Sequence, residues 1–369
     1  MATIKQTSES APSDTIHVSG TIGINILTAT AAKPTVATAA KPTAAKTTAQ
    51  QWEGQVVCLY DVHNQDQYCR PPPQSHHVFI DEFIEKLNVC SIVIEEPFLP
   101  EPSLKAIFFT EHVKKLKQLY DQKSIQLHGT DIRLNMLYCS LHVLHEMNNR
   151  QTLLQYLTPI LSIFRTHPTS SNNPTLDALY RRATAKRPTI FYPEIQHVKL
   201  RKIKKEFLTC LTVLPNHYQN QMIYLYQTLQ QRVYEFVTDL HAHLDDELYT
   251  IVKKSAIPAR EPLNKDFPFS NQYIQEYHDD SKPSILESNW MYRLELIIDA
   301  TMEMFTVGKL LKHWQPCNVI YMGLVHMARI THWLKTYFAF HDVAAFGTTE
   351  QTLPKHLDEI QTSDSCVSL

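Results

Sequence analysis

An α/β fold with a mixed sheet core and many helices is what this sequence predicts, on three observations. Short apolar runs rich in β-branched and aromatic residues recur at Val56–His63, Val89–Ile94 and Asn318–Val325, and Ser124–Arg133 is a further candidate strand. Stretches with helical spacing separate them, and that alternation is the pattern of a sheet layered with helices. The first two runs are continuous rather than alternating, as expected of strands buried on both faces. Val78–Leu87 between them reads as a helix, so Gly54–Glu96 forms a strand–helix–strand unit.

The elements follow in order. Residues 1–50 are rich in Ala, Thr, Ser, Lys and Pro, with AAKPT at Ala31–Thr35 and again at Ala39–Thr43. Such composition buries too little apolar surface to offset its ordering entropy, which predicts a disordered-type, low-complexity N-terminal arm. An α/β domain is expected over 54–345, with a long helical insertion over about 134–315, and a polar C-terminal tail over 346–369. Ser103–Tyr120, Leu134–Met147 and Leu153–Phe164 carry helical spacing. The Lys199–Lys205 run reads as the solvated face of a helix, because no aromatic residues interleave it for base stacking. His217–Lys254 is the clearest helix, its stripe of Met222, Leu225, Leu229, Val233, Phe236, Leu240 and Leu244 stepping by three and four. That stripe is either core or a seam for a partner helix. His241 and His243, two apart, point to different sides and make a poor metal pair. Leu286–His313 is again helical, and Met327–Phe340 follows the last apolar run.

Composition narrows the function classes. The 369 residues are 43 % apolar and 20 % charged with a net charge of −2, enough for a sizeable core and without the basic excess that nucleic acid demands. No apolar run reaches the roughly 20 residues of a membrane span, and the first residues lack the apolar segment of a signal peptide. The seven cysteines form no CxxC pair, and several sit in apolar runs, which fits buried thiols in a reducing compartment. Seven glycines are few, since average usage is about 7 %. Gly129 and Gly323 stand beside candidate site residues.

The chemistry-bearing residues gather where the strands end. In open α/β sheets, ligands collect beyond the carboxyl ends of the strands. His63 closes the first run, Glu95 and Glu96 the second, Asp131 and Arg133 the third and His326 the fourth. Imidazole and carboxylate donors converging from separate elements are what a divalent ion requires, with His128 a further candidate. A single histidine at a strand end is more often a hydrogen-bonded structural residue. Four ends decorated alike are harder to dismiss.

LYDVH at the first end and the GxxH of Gly323–His326 at the last, with IEEP between, resemble the erythromycin-esterase, ChaN and TIKI/TraB superfamily. The longer arrangement VHN…YC…IEEP…H..DIR…YMG..H is also similar to an uncharacterised group of proteins in large double-stranded DNA viruses of eukaryotes. The resemblance implies a mixed α/β core with helical insertions. It implies catalytic His63, Glu95 or Glu96, and His326, with His63, Glu95 and His326 as ligands of a divalent metal. From the viral pattern, Asp131 and Arg133 would line the site. Tyr60 stands where the first motif would have glycine, and no second histidine follows His326 closely. The expectation is therefore a virion-associated structural protein, a minor capsid or assembly component on a degenerate hydrolase-like fold. Its partners would be other capsid or virion proteins, and its locations the virion and the host cytoplasm during assembly. The alternatives are a metal-dependent hydrolase and a non-catalytic binding module.

Overall fold

The computed structural model describes residues 16–19, 21–29, 54–61, 76–87, 91–97, 125–137, 154–166, 174–185, 200–243, 285–350 and 366–368. Among the described residues nine strands run in chain order: β1 (Ile16–Ser19), β2 (Gly23–Ala29), β3 (Gln55–Asp61), β4 (His76–Phe79), β5 (Ser91–Pro97), β6 (Gln126–Asp131), β7 (Cys317–Gly323), β8 (Phe340–Gly347) and β9 (Cys366–Ser368). The helices among these residues are α1 (Ile80–Lys86), α2 (Thr158–Phe164), α3 (Pro174–Thr184), α4 (Leu200–Thr212), α5 (Asn216–His243), α6 (Ile285–Lys312) and α7 (Leu324–Phe338), with a 3-10 turn at Arg133–Asn135.

Six strands form a mixed sheet in the order β6-β5-β7-β3-β2-β8. The first four are parallel, β2 lies antiparallel to β3, and β8 antiparallel to β2. A second sheet joins β4, β1 and β9 in that order. Strand side chains alternate between faces, which divides the core in two. Cys58, Tyr60, Val93, Ile320 and Met322 face the helices α2 to α7. Val57, Leu59, Ile92, Ile94, Val319 and Tyr321 face Ile80 and Ile84 of α1 and Val18, Val78 and Val367 of the small sheet. Each fully buried large aliphatic is worth about 1.5–3 kcal/mol, so the parallel strands anchor the fold from both sides.

The connection from β6 to β7 carries α2 to α6, and α6 is its keystone. From Leu294 to Leu311 nearly every side chain of α6 is buried, as expected of a helix enclosed on all sides. Gly308 lets α4 come close: a methyl group there would sit 2.8 Å from the Cβ of Cys210. Met222, Leu225, Leu229, Val233 and Phe236 of the α5 stripe are core rather than an exposed seam. On α4, Arg201, Lys202 and Lys205 are exposed, as a solvated helix face requires. No helix among the described residues is long and apolar enough to cross a membrane.

Several boundaries differ from the sequence reading. Two strands come from the 1–50 arm, β2 lying inside the main sheet; the low-complexity average over that segment hides the β-branched run GINIL at Gly23–Leu27. The AAKPT repeats lie outside the described residues. The last helix ends at Phe338, where Ala339 takes the left-handed conformation (φ 58°), and the chain returns as β8. Only Phe346 and Gly347 of that edge strand fall in the expected polar tail, and its first residue, Phe340, falls at the end of the expected helix. The 3-10 turn opens the segment expected to be the helix Leu134–Met147, most of which is outside the described residues. β4 (His76–Phe79) likewise takes the first two residues of the expected Val78–Leu87 helix, and α1 begins at Ile80.

Candidate site at the carboxyl ends of the parallel strands

The register of the parallel strands decides what meets at the rim. β3 and β7 are neighbours, with Asp61 opposite Gly323. β5 lies against both β6 and β7, so its end, Glu95–Pro97, stands between Asp131 and the start of α7. His63 follows β3 but lies outside the described residues. His326, expected directly after a strand, sits instead in the first turn of α7, because the strand stops at Gly323 and the helix starts one residue later.

Arg133 is the centre of the cluster. Just past β6, its backbone N–H donates to Asp131 Oδ1 (2.9 Å), and its side chain clasps the same carboxylate through Nε (3.0 Å) and Nη2 (2.9 Å). Nη2 also donates to Glu95 Oε1 at 2.6 Å. Nη1 lies 3.1 Å from His326 Nε2 and 3.6 Å from Asp299 Oδ1 on α6. Glu95 uses its other oxygen to accept the Gly323 N–H (2.7 Å), one of the backbone donors that a helix start leaves unused. One guanidinium thus ties together the ends of β5 and β6 and the faces of α6 and α7.

Behind it lies a second, fully buried layer. His326 Nδ1 is 2.7 Å from Glu303 Oε1, and Arg329 Nη1 donates to both oxygens of Glu303 at 2.6 Å. This contact assigns the Nδ1 proton to the Glu303 side, leaving Nε2 to accept from Arg133. Burial works against a charged His326 ring, but Glu95, then Asp299 and Glu303, outweigh it and raise its pKa above the ordinary value. Burial opposes the Glu303 charge too, and there Arg329 and His326 win, holding the carboxyl below its usual range. Asp299 goes the other way, pushed up chiefly by desolvation. Arg133 loses charge stability to burial but gains more from Asp131, Glu95 and Asp299, so its pKa is raised.

The remaining sequence candidates sort by strand alternation. Glu96 is buried, and strand alternation turns it to the face opposite Glu95, the face that carries Tyr321. Glu95 is therefore the carboxylate of this cluster. His128 is not at the rim: three residues before the end of β6, it stacks on His313 with ring centroids 4.4 Å apart. Tyr60, in place of a motif glycine, sends its hydroxyl to Glu350 (2.5 Å) and Thr331 (3.0 Å), under α7 and away from Arg133. Sequence reasoning missed Asp299, Glu303 and Arg329. The available signal was a charged residue inside an otherwise apolar helix, Glu303 in MEMF and Arg329 in MARI.

The divalent ion implied by the resemblance can be set against these residues. Glu95 Oε1 and His326 Nε2 are 3.5 Å apart, close to the ~3.4 Å between neighbouring ligands of a tetrahedral ion with bonds of about 2.0–2.2 Å. The guanidinium of Arg133 reaches the same two atoms and Asp131, so a fixed cation already holds the donors an ion would use. Among the described residues no group of three or more His, Cys, Asp or Glu side chains could hold a metal ion. The described donor set does not fit the ion while Arg133 is in place. No protein-family model, curated protein or solved structure matches this chain.

Proposed function

We propose that the chain is a virion-associated structural protein, a minor capsid or assembly component of a large DNA virus, on a hydrolase-like α/β frame with no working metal centre. Arg133 carries this reading. In a metal hydrolase the ion must be free to polarise water or substrate, whereas here a side chain with no exchangeable ligand position neutralises Glu95 and Asp131 and faces His326. The likeness of the strand-end motifs to the viral group and the repeated AAKPT of the arm support the viral part. Its partners are then other capsid or virion proteins, met in the particle and, during assembly, in the host cytoplasm. Quantitative mass spectrometry of purified particles tests this. Copy numbers comparable to those of other minor shell proteins are expected, and absence from particles overturns it.

A second reading, a metal-dependent hydrolase using His63, Glu95 and His326, is favoured by one contact. His326 gives its Nδ1 to a buried carboxylate, the arrangement by which metal-binding histidines are commonly oriented. Metal analysis of the purified chain and of His326→Ala separates the two. One bound ion per chain, lost on substitution, supports the hydrolase; equally little metal in both supports the structural protein.

A further inference from the structure

Where the last turns of α7 meet the chain returning as β8, one lysine touches two carboxylates. Lys335 Nζ of α7 lies 2.6 Å from Asp342 Oδ1 and 2.7 Å from Asp342 Oδ2, and it also pairs with Glu350 Oε1. Asn25 of β2 donates through Nδ2 to Asp342 Oδ1 at 2.9 Å, with the Glu350 oxygens 3.4 and 3.5 Å away. The Tyr60 hydroxyl donates to Glu350 Oε2 at 2.5 Å. Register brings these groups together. The pairing of β8 with β2 skips Val343, which sets Asp342 opposite Leu27, a residue of the helix-covered face. Asn25 and Tyr60 are fully buried and Glu350 has 7 % of its side chain exposed, whereas Asp342 has 32 %.

Contact with both oxygens of one carboxylate puts Nζ about 3 Å from the carboxyl carbon, within the roughly 3–3.5 Å of a near-attack arrangement. An exposed ion pair has that contact and nothing more. Here the surroundings add the other parts of an acyl transfer. Asn25 Nδ2 is aimed at Asp342 Oδ1, where negative charge develops as the amine adds. The open side of Asp342 lets the carboxyl turn its face to Nζ and gives the leaving water a way out. Burial works against the Lys335 charge, but Asp342 and Glu350 outweigh it and raise its pKa. The amine is therefore released only to a carboxylate in direct contact, and Glu350 is the one shut off from water.

We propose that Lys335 and Asp342 become joined by an amide bond, with Glu350 as the proton-transferring catalytic residue. Glu350 accepts a proton from the Lys335 ammonium and passes it to Asp342 Oδ2. The freed electron pair forms the Nζ–Cγ bond, Glu350 relays a second proton from Nζ to the same oxygen, and the Cγ–Oδ2 bond breaks to release water. The three ammonium protons end as one amide N–H and two in water, Glu350 is restored, and nothing is oxidised or reduced. Holding the amine against the carboxyl supplies an effective molarity of roughly 10⁵–10⁸ M, which offsets the tendency of a free amide to hydrolyse. The bond staples the end of α7 to the edge strand β8 across the left-handed Ala339.

Mass spectrometry of the purified full chain, denatured before measurement, tests this. The intact mass should be one water below that of the sequence. A tryptic digest should give a peptide in which Lys335 resists cleavage and the backbone between 335 and 342 yields no fragments. Lys335→Arg and Glu350→Gln, each shown folded by circular dichroism, should keep the full mass. Asp342→Asn should reach the same final mass as wild type, because it forms the same amide and releases ammonia in place of water. A wild-type chain of full mass that is cleaved after Lys335 overturns the proposal. So does a loss of water that persists in Lys335→Arg, which places the dehydration at another residue, and Glu350→Gln joining as completely as wild type overturns the role of Glu350. The digest of the wild-type chain decides by itself if a variant does not fold.

Discussion

Replacing Arg133 with alanine strips one cation from Glu95, Asp131 and His326 together. Glu95 has only 6 % of its side chain exposed, so it keeps the Gly323 N–H but loses its charged partner in a nearly dry setting. Breaking a fully buried pair costs about 3–5 kcal/mol. Arg133 itself is 30 % exposed, so water takes over part of its role and roughly 2–3 kcal/mol is the expected loss. For a domain of this size that lowers Tm by about 5–10 °C. Thermal melts followed by circular dichroism at pH 7 measure it. The same variant removes the guanidinium from Glu95 Oε1 and His326 Nε2, which lie 3.5 Å apart, the spacing of adjacent ligands. Zinc should therefore raise the Tm of Arg133→Ala and leave wild type unmoved. A variant that melts like wild type, or a wild type that gains as much from zinc, refutes the reasoning that this guanidinium stands in the cation's place.

Other perturbations probe the surroundings. Glu303→Gln leaves the buried Arg329 guanidinium without its carboxylate and should cost about 3–5 kcal/mol in urea melts, whereas an effect under 1 kcal/mol would mean the pair is not buried in solution. Because the folded-state pKa of Glu303 is lowered, its contribution is present above the unfolded value near 4.5 and is lost as pH falls. His128 and His313, lowered to about 3 and about 4, act with the opposite charge but in the same pH direction. The unfolded chain takes up protons below about pH 6.5 while these folded rings do not, so stability should fall from pH 6.5 toward pH 4. His313→Phe should flatten that slope in urea melts, and an unchanged slope would dismiss the stacked pair as its source. Gly308→Ala places a methyl group 2.8 Å from the Cys210 Cβ and should cost about 1–3 kcal/mol by overpacking α6 against α4. A neutral outcome would show that the two helices slide apart freely.

How much of this was legible beforehand depended on the range of the interaction. Three of the parallel strands, β3, β5 and β7, were readable because each is a short apolar run, and burial on two faces leaves that mark in composition; β6, at the sheet edge, carries only Leu127 as a large apolar residue. The rim was readable in outline for the same reason: strand ends in an α/β sheet share one edge, so Glu95, Asp131, Arg133 and His326 were expected near one another. β8 was not readable, because FHDVAAFG follows directly on a helical stretch and only the left-handed Ala339 turns the chain back. Nor could single residues in apolar helices announce that Glu303 and Arg329 would pair across 26 positions.

By itself the amino-acid sequence determined the layered α/β class and the strands whose ends carry Glu95 and Asp131. Those are consequences of local pattern: burial on two faces and helical spacing are written in neighbouring residues. The tertiary structure alone decided which carboxylate, Glu95 or Glu96, turns toward the rim, and that Arg133 fills its centre. Strand alternation and register set those outcomes, and a one-residue difference in either sends a side chain to the opposite face of the sheet.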